Sequence, residues 1–346
     1  MLLNKNTEVT IIDRTIPEVY LLKRKISRLD IIELSWKLKE LGADLIEINT
    51  DLLKKMGKMP SGLNFIIRIK AGEKDIDLPS SIKHCIVSSE LLKDTDMIKW
   101  LADRQMNITA EFKIDGIEKL DKLKRLKNSF YIKHVQSIRI TGLNKCSSFD
   151  WTKKIKEIRN VLGTKIDICA ENNYSCATAV AVEALMEGTD TITASFSGCG
   201  KERGFAALEE ILTSIRVLIS DCAKMNLIIL PEMSRYFSKV TGIPIPCTKA
   251  IIGRDIFKYE SGIHADGIDK NPLTYEPFEP DIVGQKRELR LGKHSGTKAV
   301  ASKLKELGVQ YSIEKLGEIL NSIKNKSIIL GRSLLDDEIL EICKYI

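Results

Sequence analysis

The sequence contains no stretch typical of a membrane span, a disulfide framework or a secretory signal. Its longest apolar runs, such as the one at 226–231, are far shorter than the roughly 20 residues that cross a membrane. Its eight cysteines form no CxxC pair, and no secretory signal is visible at 1–11. This usage favours free thiols in a reducing compartment over a disulfide framework. We therefore expect a cytoplasmic protein that does not enter a membrane.

Nucleic-acid-binding patterns are missing as well. The net charge of +7 arises from 54 basic and 47 acidic residues that are spread along the chain, and no helix-turn-helix, zinc-finger or RNP-like pattern accompanies them. A solvated lysine-rich surface is favoured, although a basic face also attracts small anions such as carboxylates. We expect no nucleic-acid partner.

Alternating strand and helix patterns fill the first two thirds of the chain. Short β-branched runs, which are typical of strands, occur at 9–13, 43–48, 65–69, 85–87, 108–114, 135–140, 165–170 and 189–195. Helical spacing occurs between and after them at 29–41, 52–56, 91–103, 116–126, 151–162, 175–187 and 205–225. Eight such units predict an α/β fold, a closed (β/α)8 TIM barrel. A doubly wound open sheet is the competing fold, but no GxGxxG opens a helix after an early strand.

The pattern changes after the long helix of the last unit. Loops, short helices and four predicted helices at 231–240, 297–307, 312–325 and 333–345 follow. We predict a TIM barrel at 1–226 and a small, mostly helical C-terminal subdomain at 227–346.

In a barrel of this type, chemistry is expected where the strands end. Cys169 and Glu171 point to one face of the seventh strand, and a thiolate with a carboxylate can bind zinc or iron. Because no histidine is near in sequence, a small buried cysteine beside an ordinary acid is the favoured interpretation. Glu18 follows the first strand and is either a further ligand or, as favoured, a surface acid.

The stretch 253–296 combines histidines, glycines and an aromatic, proline-rich segment. An imidazole at His264 and a phenol at Tyr275, held close by a short loop, would supply a proton-transfer pair. A packed histidine beside a core tyrosine is the alternative. Further on, GKHSG at 292–296 precedes a helix, where Lys293 and His294 could hold an anion, although an ordinary helix start is favoured.

Three motifs carry a family resemblance: ESGIHADG at 260–267, NPLTYEPFEP at 271–280 and GKHSG at 292–296. With TGIPIP and IIGRDIFKYES upstream, they resemble the C-terminal region of the homocitrate synthase and isopropylmalate synthase family. The resemblance covers the layout of the whole chain and is most specific over 206–296. It implies an acyltransferase that condenses acetyl-CoA with a 2-oxo acid on a metal-bearing barrel.

The same resemblance assigns roles in the C-terminal part. It implies that His264 is the catalytic histidine and Tyr275 its partner, and that the pair assists proton transfer during enolisation of acetyl-CoA and condensation. It also implies that the subdomain reaches over the barrel mouth of the other protomer of a dimer.

The barrel half departs from the family pattern at its reactive positions. The motif D-T-T-L-R-D-G-E aligns with 13–20, so that Pro17 replaces the arginine that polarises the oxo group. Glu47, which matches an acid after the second strand, is the surviving residue and is predicted to bind substrate. The resemblance implies that the metal-ligand positions are Glu18, Cys169, Glu171 and Ser197, where aspartate, two histidines and asparagine stand in the family. Losing both imidazoles removes most of such a site's metal affinity, so we expect this chain to bind no metal or other cofactor.

This chain keeps the family's His/Tyr pair and GKHSG but has lost the reactive residues of the barrel. In this combination it most resembles the omega subunit of split homocitrate synthases that serve nitrogen fixation. We therefore predict a subunit whose partner, a paralogous catalytic alpha chain, carries the divalent metal, and whose substrates are acetyl-CoA and 2-oxoglutarate. A dimer is expected. The alternatives are a catalytically silent regulatory or scaffold subunit, a lone enzyme with a rebuilt metal site at Cys169, Glu171 and Glu18, and a synthase for another 2-oxo acid, of isopropylmalate or citramalate type.

Overall fold

The computed structural model describes residues 9–23, 26–74, 76–115, 119–124, 130–143, 151–219 and 224–346. Eight parallel strands form a closed barrel in sequence order. They are β1 (Thr10–Asp13), β2 (Leu45–Asn49), β3 (Phe65–Arg68), β4 (His84–Ser88), β5 (Asn107–Ile114), β6 (Val135–Gly142), β7 (Lys165–Ala170) and β8 (Thr191–Ala194). β1 closes the sheet, because it pairs with β2 on one side and with β8 on the other. The predicted (β/α)8 barrel is confirmed.

Helices follow the strands and cover the barrel. They are α1 (Thr15–Lys23), α2 (Arg28–Leu41), α3 (Thr50–Met56), α4 (Thr95–Asp103), α5 (Asp121–Lys124), α6 (Trp151–Leu162), α7 (Ala177–Met186), α8 (Leu208–Ser214) and α9 (Leu230–Thr241). α2 shows why they form: Ser27 caps its first turn by accepting from the backbone N–H of Asp30, and Gly42 ends it at a φ of 128°. Its apolar residues recur at helical spacing, so one face is buried.

Two predicted helices differ in extent from the observed ones. The structure describes the predicted helix 116–126 only at 119–124, where α5 lies. The predicted helix 205–225 begins as α8 and continues as a π-helical turn at Ile215–Ile219; positions 220–223 are outside the described residues.

The chain divides into two compact units, Met1–Ile245 and Pro246–Ile346. This division places α9 with the barrel, whereas the domains predicted from the sequence were 1–226 and 227–346. The reason is packing: α9 contacts α2, and the ring of Phe237 on α9 lies 5.2 Å from that of Phe196, centroid to centroid. Within the described ranges, no helix is long and apolar enough to cross a membrane.

The C-terminal unit is mostly helical, as predicted. It contains a short parallel pair, β9 (Lys258–Tyr259) and β10 (Glu288–Leu289), with α10 (Gly262–Lys270), α11 (Thr297–Glu306), α12 (Leu316–Leu330) and α13 (Asp336–Tyr345). Its core lies between α11, α12 and α13 and consists of Leu289, Leu291, Ala299, Val300, Leu304, Ile319, Ile323, Leu334 and Ile339.

Candidate active site

Charged side chains from five barrel strands form one ion-pair network inside the barrel. Glu47 on β2 accepts from Arg68 Nε on β3 at 2.9 Å and from Arg139 Nη1 on β6 at 2.6 Å. Arg68 donates both terminal nitrogens to Glu111 on β5 at 2.7 Å each. Arg139 Nε donates to Asp167 on β7 at 2.5 Å. The network fills the interior with paired charge, and breaking one buried pair costs about 3–5 kcal/mol.

Glu47 is ionised within this network. Burial alone would raise its pKa, but the guanidinium groups of Arg68 and Arg139 hold that pKa well below its ordinary value. Both of its carboxylate oxygens already accept from arginine. Its predicted contact with substrate stays a prediction.

A third arginine, Arg14, lies where β1 leads into α1. Arg14 Nη2 donates to Glu18 Oε1 at 2.6 Å, and Nη1 donates to Cys169 Sγ at 3.1 Å. The guanidinium carbon lies 3.9 Å above the centre of the Phe205 ring, a cation–π contact. Burial raises the pKa of Cys169 to about 11, so its sulfur is a protonated thiol near neutral pH.

A cavity of about 330 Å³ opens above the strand ends, and its walls are charged. Arg14, Arg68 and Lys113 line it together with Glu18, Glu47, Glu111 and Glu171. Lys70 lines it too, so four cations face four carboxylates and the cavity carries no strong charge of one sign.

Within the C-terminal unit, the structure brings His264 and Tyr275 together. Their ring centroids are 4.4 Å apart and their planes are inclined by 48°. His264 is on the first turns of α10, which begins where Ser261 accepts from the N–H of Ile263. Tyr275 follows a short turn at Pro272–Thr274. Gly267 makes the approach possible, since a Cβ there would lie 2.4 Å from the Tyr275 ring.

The pair is open to solvent. His264 is exposed, and Tyr275 keeps 45% of its surface accessible. Neighbouring apolar side chains are also exposed, with Ile263 at 76% and Leu273 at 68%. The alternative of a packed histidine beside a core tyrosine therefore does not describe this unit.

The carboxylate of Glu260, from the same chain, lies against the GKHSG segment. Glu260 Oε2 lies 3.5 Å from the backbone nitrogen of His294, and Ser333 donates its hydroxyl to Glu260 Oε1. Gly292 leaves room for this carboxylate, since a Cβ there would lie 2.8 Å from it. An anion from outside would compete with Glu260 for this position.

Comparisons with known proteins place the chain in a family. The model "HMGL-like" matches residues 77–235, and "Homocitrate synthase post-HMGL domain-like" matches residues 251–328. The omega subunit of homocitrate synthase from Clostridium pasteurianum is 36% identical over 340 residues, which is 96% of this chain and 95% of that protein. The chain belongs to the homocitrate synthase family.

Other members of the family differ in their named product. A 2-isopropylmalate synthase from Sulfurisphaera tokodaii is 29% identical over 334 residues, covering 85% of this chain and 84% of that protein. Among solved structures, the HMG-CoA lyase of Bacillus subtilis is similar in fold, with a TM-score of 0.54 and 15% identity over 71% of this chain and 97% of that chain. The isopropylmalate synthase is a relative with a different named product, and the lyase structure supports the barrel fold alone.

The four positions at which the sequence resemblance implies metal ligands have other partners in the structure. Glu18 and Cys169 contact the Arg14 guanidinium, as described above. Glu171 accepts from Lys113 Nζ at 3.2 Å, and the backbone nitrogen of Ser197 donates to Glu209 at 2.8 Å. In the part of the chain that the structure describes, no three His, Cys, Asp or Glu side chains are grouped to hold a metal ion. These residues do not fit a divalent metal, and the alternative of a rebuilt site at Cys169, Glu171 and Glu18 finds no support in them.

One expectation at this end of the barrel is wrong. Glu18 was favoured as a surface acid, yet only 3% of it is exposed. It lies on α1, a helix that the sequence interpretation did not include, and α1 turns it inward toward Arg14.

Sequence reasoning also missed the arginines of the barrel and two of their carboxylate partners, Glu111 and Asp167. A signal was present, because parallel barrel strands are usually near-continuous apolar runs. A charge interrupts such a run in four strands: Arg68 in FIIR, Glu111 in NITAEFKI, Arg139 in VQSIRITG and Asp167 in KIDICA.

Proposed function

We propose that this chain is one subunit of a two-chain homocitrate synthase and contributes His264 and Tyr275 to a site whose metal-bearing barrel is on a paralogous partner chain. The observation that carries the proposal is a contrast within one molecule. The imidazole–phenol pair is close and solvent-exposed, whereas a guanidinium contacts the ligand positions of its own barrel.

The proposed reaction joins acetyl-CoA to 2-oxoglutarate. A base removes a proton from the acetyl methyl group, and the resulting enolate forms a carbon–carbon bond to the oxo carbon. The oxo oxygen takes up a proton and becomes the tertiary hydroxyl. Water then cleaves the thioester, which gives homocitrate and CoA. The partner's divalent metal would polarise the oxo group.

His264 and Tyr275 fit the proton transfers of this sequence. An imidazole accepts and donates protons near neutral pH, and a positioned acid or base contributes about 10²–10⁴-fold in rate. Tyr275 lies against the imidazole ring, and its phenol would orient the imidazole or carry the proton onward.

The surface around the pair supports a partner. Ile263 and Leu273 expose most of their apolar side chains beside His264, and exposed apolar groups that cluster around reactive groups are typical of a surface that another molecule covers. The similarity to an omega subunit from Clostridium pasteurianum supports an alpha-type partner. From the family resemblance, we further propose that the homocitrate serves nitrogenase cofactor synthesis.

Mixing the subunits tests the proposal. We expect homocitrate from acetyl-CoA and 2-oxoglutarate when this chain and the paralogous chain of the same cell are combined, and little from either alone. Full activity of the partner alone would overturn it. Because an isopropylmalate synthase is among the relatives, the assay includes 2-oxoisovalerate and pyruvate, and a preference for one of them would correct the substrate.

Replacing the histidine separates a catalytic subunit from a silent one. We predict that His264→Ala lowers kcat of the mixed complex about 10²–10⁴-fold while both chains still elute together in size-exclusion chromatography. Lys270→Ala, an exposed change on the same helix that removes only the Lys270–Asp266 ion pair, serves as the control. An unchanged rate with His264→Ala would favour the regulatory or scaffold alternative.

A further inference from the structure

We propose that Arg14 is a built-in cation that takes the place of a divalent metal at the mouth of this barrel. Its guanidinium lies within hydrogen-bond distance of two family ligand positions, 2.6 Å from Glu18 Oε1 and 3.1 Å from Cys169 Sγ. Lys113, whose side chain is largely exposed, contacts the third position, Glu171, at 3.2 Å. The chain therefore organises the mouth of its barrel with its own cations and excludes a metal ion.

The position of Arg14 is fixed at its backbone and at its side chain. Its N–H donates to the carbonyl of Ala194 at the end of β8, at 2.9 Å, so the residue joins the two strands that close the barrel. The guanidinium stacks on Phe205, and 9% of Arg14 is exposed. A side chain held in this way does not swing aside readily for a metal ion.

The ligand atoms also match a guanidinium better than a metal. A guanidinium donates several hydrogen bonds in a rigid plane and matches a carboxylate. A divalent metal at Glu18 and Cys169 would have to displace this guanidinium, because its two terminal nitrogens already donate to Glu18 Oε1 and Cys169 Sγ.

Glu18 explains why a cation is needed at this point. Only 3% of Glu18 is exposed, and a buried carboxylate without a positive partner is costly. Its other carboxylate oxygen lies 3.4 Å from the backbone nitrogen of Lys201. A backbone N–H carries no full charge, so this contact does not neutralise the carboxylate. Arg14 thus neutralises Glu18, as a metal would.

Stability measurements on the full chain test the first half of the proposal. Arg14→Met should lower Tm by roughly 5–15 °C, because it leaves Glu18 buried without its cation. The double variant Arg14→Met/Glu18→Gln should recover a large part of that loss, since no unpaired charge remains. Arg235→Met, at an exposed arginine on α9, controls for loss of an arginine. Strictly additive losses in the double variant would overturn the proposed pairing.

Metal binding tests the second half, with Co²⁺ as the probe in equilibrium dialysis and absorption spectroscopy. Wild-type chain should bind no stoichiometric Co²⁺. Cys169→His/Glu171→His supplies imidazoles but keeps Arg14, whereas Arg14→Thr/Cys169→His/Glu171→His also removes the guanidinium. We expect the triple variant to bind Co²⁺ tighter than the double by on the order of 100-fold or more, because the guanidinium repels a metal at the same ligands.

Two results would overturn the proposal. One is equal Co²⁺ affinity of the double and triple variants. The other is one equivalent of Co²⁺ on the wild-type chain that Glu18→Gln removes. If the triple variant does not fold, Co²⁺ dialysis of the wild-type chain and the stability measurements on the Arg14 and Glu18 variants still test the proposal. None of these readouts requires a partner chain, so they are independent of the two-chain function proposed above.

Discussion

Asp13 at the end of β1 shows how strongly burial acts on a single side chain. No part of it is exposed, and burial raises its pKa to about 7, although Thr15 donates to its carboxylate from both its hydroxyl and its backbone N–H. The folded chain therefore holds a proton on Asp13 at a pH where the unfolded chain has released it.

This difference predicts a pH dependence of stability. Because the folded pKa is raised above the unfolded value of 3.8, the folded state binds more protons between these values, and stability falls as pH rises from about 4 to about 7. Relative to Asp13→Asn, which cannot ionise, the wild-type chain should lose about 3 kcal/mol of unfolding free energy between pH 5 and pH 8. Urea unfolding of both chains at the two pH values measures it. Parallel curves would contradict the assignment.

Some side-chain roles were accessible from the sequence and others were not. His264 and Tyr275 are close in the chain, so a short loop could be expected to join them, and the structure places their rings 4.4 Å apart. Arg14 and Cys169 are 155 positions apart, and a contact over such a distance depends on how the barrel closes. Local patterns carry no information on that pairing.

Strands and helices were easier to predict than the charges within them. All eight strands were located from β-branched runs, because burial on both faces demands apolar residues. α1 was missed, and it contains Pro17, a residue type that breaks helices in their interior. Pro17 lies in the first turn of α1, where a missing N–H has no helical acceptor and therefore costs little. The rule that proline ends a helix holds for the interior and fails at this position.

The end of β6 depends on a glycine. Gly142 has a φ of 97°, and a Cβ there would lie 2.6 Å from the carbonyl oxygen of Ile114 on β5. We predict that Gly142→Ala lowers the unfolding free energy by about 2–4 kcal/mol, from the left-handed backbone and the steric overlap together.

Gly163→Ala is the matched control for this prediction. Gly163 also has a positive φ, 65°, but apart from its chain neighbours no atom of the described residues lies within 4 Å of the added Cβ. It should lose only the backbone part, about 1–2 kcal/mol. Equal losses in urea unfolding of the two variants would show that the contact with β5 is unimportant.

Across the chain as a whole, the cysteines differ in accessibility. Cys176 and Cys247 are exposed, whereas Cys85, Cys169 and Cys199 are buried, and burial raises the pKa of Cys85 to about 12. We predict that a thiol reagent labels Cys176 and Cys247 of the native chain within minutes and reaches the three buried cysteines only after unfolding. Peptide mapping by mass spectrometry reads out each site. Labelling of Cys169 in the native chain would contradict its contact with Arg14.

Domain organisation could be predicted only in outline. Composition indicated a barrel and a mostly helical C-terminal part, and both are present. The division falls after α9 because Phe237 packs beside Phe196, a contact between distant segments that periodicity does not report.

The ion-pair network inside the barrel has a consequence for how the strands find their alignment. Side chains alternate between the two faces of a strand, so shifting one strand by a single residue moves all its side chains to the opposite face. In an apolar barrel, neighbouring isoleucines would make such a shift inexpensive. Here the same shift would carry Arg139 out of reach of Glu47 and Asp167 and bury its charge unpaired against the covering helices. The ion pairs thus select the correct strand register during folding, because each shifted strand would leave a buried charge unpaired.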